Sequence, residues 1–209
     1  MKTMGKSART MFLVVGLMLT VLHHVRASDP EVTTDIGINP TSVDNFTFTG
    51  FRNLPANEKG VRTQSFSSFQ NTPGLTGLAM TTVQFMFGPE SQTDPHIHPR
   101  ANEVFYVLEG SLDVGFVDTY NRLWETTLQK SDLFVFPKGQ LHWQRNNGDG
   151  PASGLSFLTS QNPGTMVVSN ACFNAGGKGL PDNVLQTAFG ADIQTIESIK
   201  KAVAALQSF

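Results

Sequence analysis

The sequence predicts an all-β fold, a sandwich or barrel of short strands. Two observations carry that prediction. Between Leu75 and Ser169, β-rich runs alternate with turn signals: LAMTTVQFMF, EVFYVLEG, SLDVGFVD, LWETTL, DLFVFP, LHWQR, GLSFLTS and TMVVS. The separators, among them EG, DTYN, KSD, PKG and NNGDGP, supply the residues that reverse a chain. Short strands at this spacing, with no helical segments between them, indicate an all-β sandwich or barrel and not a βαβ fold.

The elements follow in order. Residues 1–27 read as a cleaved signal peptide. Lys2, Lys6 and Arg9 form a basic start, Met11 to Leu22 is an apolar run of twelve, and Val25 and Ala27 supply the small residues of a cleavage site. Twelve residues are too few to span a bilayer, which needs about 20. Residues 28–60 are polar and rich in Pro, Asn, Asp and Thr, with the apolar patch FTFTGF; they read as an arm wrapping the core. Residues 61–175 form the β core, and residues 176–209 a helical extension. There, Asp182 to Phe189 is a short helix ended by Gly190. Ala191 to Leu206 places Ile193, Ile196, Ile199, Val203 and Leu206 at steps of three and four, an amphipathic helix that covers either its own core or a neighbouring subunit.

Charge and cysteine usage narrow the function. Residues 1–27 hold four of the 15 basic residues and none of the 17 acidic ones, so the chain beyond Ala27 has 11 basic against 17 acidic, a net of −6. That argues against nucleic acid and anionic membranes as partners. Charged residues make up 15% of the chain, below the usual quarter, as expected if copies of the chain cover part of its surface. Cys172 is the single cysteine, so no intramolecular disulfide forms; it reads as a buried, inert thiol. Asn45-Phe46-Thr47 is the one glycosylation sequon not blocked by proline.

The chemistry concentrates in three histidines. Beyond residue 27 the chain has only His96, His98 and His142. His96 and His98 are two apart, which on a strand points both to one face. Glu103 opens the next strand, and His142 follows the PKG turn. Three neutral imidazoles and a carboxylate suit a divalent transition metal with positions left open for a ligand. No thiolate biases the set towards copper(I) or an iron–sulfur cluster.

Two segments carry a resemblance. His96, His98, Glu103 and Gly110 satisfy H-x-H-x4-E-x6-G, and Pro137, Gly139, His142 and Asn146 satisfy P-x-G-x2-H-x3-N. This pair is similar to the signature of the cupin superfamily. With PHIHPRA, GFVDT, DLFVFPKG and the tail after PDNVL, the chain resembles plant germin-like proteins along nearly its whole length beyond residue 27. The resemblance implies a jelly-roll β-barrel and a manganese ion on His96, His98, Glu103 and His142. It further implies an extracellular location in the apoplast or cell wall, and a homohexamer, a trimer of dimers clasped by C-terminal helices. The activity it implies is superoxide dismutation, with superoxide as the small-molecule substrate; oxalate oxidation and a non-enzymatic, receptor-like role in the cell wall are the alternatives.

Three departures from the germin pattern matter. Germins pair two cysteines near the N-terminus of the secreted chain, and residues 28–60 contain none, so packing alone must hold the arm. Ser131 stands where a glycine usually opens the second motif. Oxalate-oxidising germins place an asparagine three residues before the first metal histidine, and here that position is Thr93, followed by Asp94; a second substrate asparagine is missing from LAMTTVQFMF.

Overall fold

The computed structural model describes residues 42–54, 60–67 and 79–206. The expected signal peptide and much of the arm lie outside these residues. Within the arm, two single turns of 3-10 helix run over Val43–Phe46, which contains the backbone of Asn45, and Gly50–Asn53. Phe48 packs edge-on against Phe51 at 4.9 Å between centroids and lies 5.2 Å from Phe66. The aromatic patch thus fastens this part of the arm to the first strand without a disulfide.

Ten strands follow among the described residues: β1 (Val61–Ser67), β2 (Thr81–Phe87), β3 (His96–Ile97), β4 (Glu103–Glu109), β5 (Ser111–Val117), β6 (Leu123–Gln129), β7 (Leu133–Phe136), β8 (Leu141–Arg145), β9 (Ala152–Leu158) and β10 (Met166–Val167). They form two five-stranded antiparallel sheets, in the orders β1-β2-β9-β4-β7 and β10-β3-β8-β5-β6. Among the described residues no strand is hydrogen-bonded into both sheets, so the jelly-roll is two facing layers and not a continuously bonded barrel. Each predicted run contains a strand. β1 was not among those runs, and the histidine segment contributes a strand of only two residues, with His98 just past its end.

In the strands that carry the site, period-two alternation sends one side inward. In β4 the inward set is Glu103, Phe105 and Val107; in β8 it is His142 and Gln144. The core gathers Phe85, Phe87, Phe105, Val107, Leu112, Val114, Leu128, Phe136 and Ala152 between the sheets. Each large apolar side chain buried there contributes about 1.5–3 kcal/mol. Gly110 of the first motif sits at φ +79°, and a Cβ there would lie 2.7 Å from that of Ala152, so both turn and packing demand glycine.

Ser131 adopts φ +76° on the exposed turn before β7, a left-handed conformation that costs a residue with a Cβ roughly 1 kcal/mol. Ser131→Gly is therefore expected to stabilise the protein by up to about 1 kcal/mol. A raised denaturation midpoint with unchanged denaturant slope would show it; an unchanged or lowered midpoint would refute it.

The C-terminal part differs from expectation at one element. After β10 the chain forms a helix, α1 (Val168–Phe173), whose first two residues fall in the run TMVVS read as strand and whose helical character was not foreseen; six residues are too few to show a helical period. Cys172 lies in it and is half-buried, not sealed as expected. Next come α2 (Asp182–Phe189), ended by Gly190 in the left-handed conformation, and α3 (Ile193–Ala205), capped by the Asp192 carboxylate, which accepts from Thr195 N–H at 2.7 Å. The apolar face of α3 turns onto α1 and α2 of its own chain, where Ile196 and Val203 are buried. Its own chain covers Ile196 and Val203, while Leu206 at its end is 72% exposed. Charge substitutions at Ile196 or Val203 would therefore unfold this corner before they could report on association.

Candidate metal centre

The four residues singled out in the sequence meet between the sheets. His96 and His142 face each other across the β3–β8 pair. Glu103 comes from the opposite sheet, at the start of β4, paired with Phe136 and Leu158. His98 reaches in from the turn after β3. One ligand atom from each of His96, His98, Glu103 and His142 can be chosen so that all lie within 4.8 Å of one another. Glu103 and His142 are 1% exposed; His98, the most open of the four, is 9% exposed. Phe136 stacks on the His142 ring at 4.6 Å and keeps that side dry.

Each imidazole is held by its outer nitrogen. Nδ1 of His96 lies 2.7 Å from the Asp94 carbonyl, Nδ1 of His142 2.8 Å from that of Gln140, and Nδ1 of His98 2.5 Å from that of Gly164. A carbonyl only accepts, so Nδ1 carries the proton and Nε2 is left to face the interior. Nε2 of His98 and of His142 lie 3.1 and 3.2 Å from the same Glu103 oxygen, Oε2. Two ring lone pairs and a carboxylate oxygen repel at that distance. The arrangement requires a proton on an imidazole or a cation among the donors, and the all-N,O donor set fits a divalent metal.

The titration behaviour of these groups agrees. Burial, with the neighbouring His142 ring, lowers the His96 pKa to about 4. Burial also disfavours a charged His98, but its contact with the Glu103 carboxylate outweighs that and raises it above its ordinary value. Burial would raise Glu103; the His142 and His98 rings outweigh it and hold the carboxyl well below the usual range.

Two residues missed in the sequence complete the site. Glu103 Oε1 accepts from Ser156 Oγ at 2.5 Å and from Gln144 Nε2 at 3.1 Å. Gln144 is wholly buried; its place two residues after His142 on one strand was the signal that could have found it. Ser156 gave no such signal, because only strand pairing brings β9 beside β4. Asn146 of the second motif serves structure: its amide donates to the Gly88 and Gly150 carbonyls at 2.9 and 2.8 Å.

A cleft of about 470 Å³ opens beside His96, with Thr93 and Asp94 on its wall and no lysine or arginine among its lining residues. Thr93 does not offer its hydroxyl to this space as a free donor. It donates to Gln144 Oε1 at 2.7 Å and accepts from Gln144 N–H at 3.0 Å.

Known proteins share this architecture. The Cupin family model matches residues 48–197. A germin-like protein of Mesembryanthemum crystallinum is 37% identical over 208 residues, covering 87% of this chain and 86% of its own. Germin-like protein subfamily 2 member 2 of Arabidopsis thaliana is 34% identical over 212 residues, covering 92% and 95%. Among solved structures, an oxalate oxidase superposes with a TM-score of 0.77 at 25% identity, covering 85% of this chain and 99% of that one. Together with a His3Glu cluster set between two jelly-roll sheets, these matches establish that the chain belongs to the cupin family, as a germin-like protein.

Proposed function

We propose that this germin-like protein is a secreted manganese protein with superoxide dismutase activity. The observation that carries the reading is the buried His3Glu set, whose imidazoles all have Nδ1 tied to a carbonyl, with Nε2 of His98 and His142 converging on one Glu103 oxygen. His96, His98, Glu103 and His142 would hold the ion. Bound manganese supplies one-electron oxidation of one superoxide and one-electron reduction of a second, with two protons, giving dioxygen and hydrogen peroxide.

The chain's own residues hold the donors in place and limit access. The carbonyls of Asp94, Gln140 and Gly164 orient the three rings, Gln144 and Ser156 orient the carboxylate, and Phe136 shields one side. With all three imidazoles assigned to the metal, no described histidine remains as a general base. The open side next to His96 admits a small diatomic anion.

Oxalate oxidation is the second reading, favoured by the likeness to the oxalate oxidase structure. The cleft wall opposes it, as Thr93 is engaged with Gln144 and Asp94 brings negative charge. For the chain beyond Ala27 we propose an extracellular, cell-wall setting, a glycan on Asn45, and the hexameric assembly of dimers. The domain division is 1–27, 28–60, 61–175 and 176–209. Among the described residues no helix is long and apolar enough to cross a membrane. Leu133, Val135 and Phe157, exposed on β7 and β9 on either side of β4, provide an apolar face for association.

The deciding measurement is metal content by elemental analysis, run beside a dismutase assay on the secreted protein. About one manganese per chain with dismutation that chelation abolishes is the expected result. Metal-free protein with undiminished activity, or manganese-loaded protein with none, overturns it.

A further inference from the structure

We propose that Thr93 is a positioning residue of the metal centre. Acting through Gln144, it leaves a single oxygen of Glu103 for the ion. The inference rests on reading the His3Glu cluster as a metal site, but on no particular reaction.

A carboxylate can offer a metal one oxygen or two, and here its two oxygens differ. Oε2 faces the Nε2 atoms of His98 and His142. Oε1 is occupied by two donors, Ser156 Oγ at 2.5 Å and Gln144 Nε2 at 3.1 Å. The Gln144 donor holds only while its amide keeps NH2 towards Glu103. A flipped amide would set two acceptor oxygens against each other in a buried space, so Glu103 itself favours this orientation, and what the other end meets adds to it.

What it meets is Thr93. A hydroxyl has one proton, and Thr93 gives it to Gln144 Oε1 at 2.7 Å while accepting from the Gln144 backbone N–H at 3.0 Å. The backbone bond from Thr93 N–H to Gln144 O, 2.9 Å, fixes the hydroxyl's position. Because Glu103 Oε1 only accepts, Gln144 turns its NH2 to the carboxylate and its oxygen to Thr93, whose proton goes to that oxygen at 2.7 Å and not to the Gln144 carbonyl at 3.4 Å. Asparagine at position 93 could not be both acceptor and donor through a single atom in this manner.

Removing outer partners of metal ligands weakens metal binding by about 10–100-fold. Thr93 acts one bond further out, so Thr93→Val, nearly isosteric, is expected to weaken Mn2+ binding to the full chain by about tenfold. The Mn(II) electron paramagnetic resonance spectrum should change with it. Thr93→Ser, which keeps the hydroxyl, should match wild type in both measurements. Because Thr93 also borders the cleft, affinity is measured by chelator competition without substrate. Gln144→Met, which removes the amide, should weaken binding at least as much, and it carries the test if Thr93→Val does not fold. Wild-type affinity in Thr93→Val or in Gln144→Met, or serine as weak as valine, overturns the inference. A wild-type chain that binds no Mn2+ would sink the metal-centre reading and this inference with it.

Discussion

Replacing His142 by alanine is expected to empty the metal site and abolish activity together. Outer partners of a ligand are worth about 10–100-fold in metal affinity, so loss of a direct ligand should exceed a hundredfold. His142 is buried, backed by Phe136 and aligned by the Gln140 carbonyl, so no other described histidine can take its place. Full manganese occupancy in His142→Ala would show that it is not a ligand.

Acid should act in the same direction, because a protonated Nε2 cannot ligate. His98, held above its ordinary pKa of 6.5 by Glu103, takes up a proton first, so Mn2+ affinity should begin to fall above pH 6.5. His96, lowered to about 4, does not compete until far more acid conditions. In the metal-free protein these groups pull stability in opposite directions. The raised His98 contributes stability that is full below its unfolded pKa and is lost as pH rises through the folded value. The lowered His96 contributes stability above 6.5 that is lost as pH falls towards 4, and Glu103 behaves likewise below its ordinary 4.5. Affinity independent of pH between 5 and 8 would refute this assignment.

Manganese-loaded wild-type protein is expected to dismutate superoxide while yielding little or no hydrogen peroxide from oxalate. Oxalate is a dianion, and a site that selects it must donate hydrogen bonds to carboxylate oxygens the metal does not hold. Each such bond is worth about 0.5–1.5 kcal/mol, more when a charged partner is left unsatisfied. Here the Thr93 hydroxyl is committed to Gln144, no asparagine lies on β2, and Asp94 repels negative charge at the cleft wall. Two missing donors weaken productive oxalate binding by about a hundredfold on that scale. Superoxide carries half the charge and needs only an open metal position. Thr93→Asn is the substitution to test for a gain, and a small one is expected, because the new amide must also replace the bonds Thr93 makes to Gln144. Robust oxalate turnover by the wild-type protein would reverse this ranking.

Much of this was legible in the chain because the relevant physics is local. Alternating runs between turn residues named β2 and β4 to β9 as strands, and the spacing of Ile196 and Val203 named the one-sided helix α3. The cluster of His96, His98, Glu103 and His142 was legible for another reason. Imidazoles were so few beyond residue 27 that three of them beside turns, with a glutamate, had little else to form. The exceptions are α1, too short to show a helical period, and β1, which lies at the edge of a sheet beyond the predicted runs.

By itself, then, the sequence determined the layered β class and which four donor-bearing side chains, His96, His98, Glu103 and His142, come together between the sheets. Only tertiary structure decided what holds those donors. His96 and His142 each find an orienting carbonyl two residues back, but His98 takes its own from Gly164, 66 positions away. The partners of Glu103 lie 41 and 53 positions off. Which face of the molecule is left apolar was decided the same way: α3 folds onto its own chain, while the outer side of β7 and β9 stays open. The reason is common to all of these. Periodicity records which way a side chain points relative to its own backbone, whereas a contact across sheets depends on strand register, and pairing sets that only once the whole chain has folded.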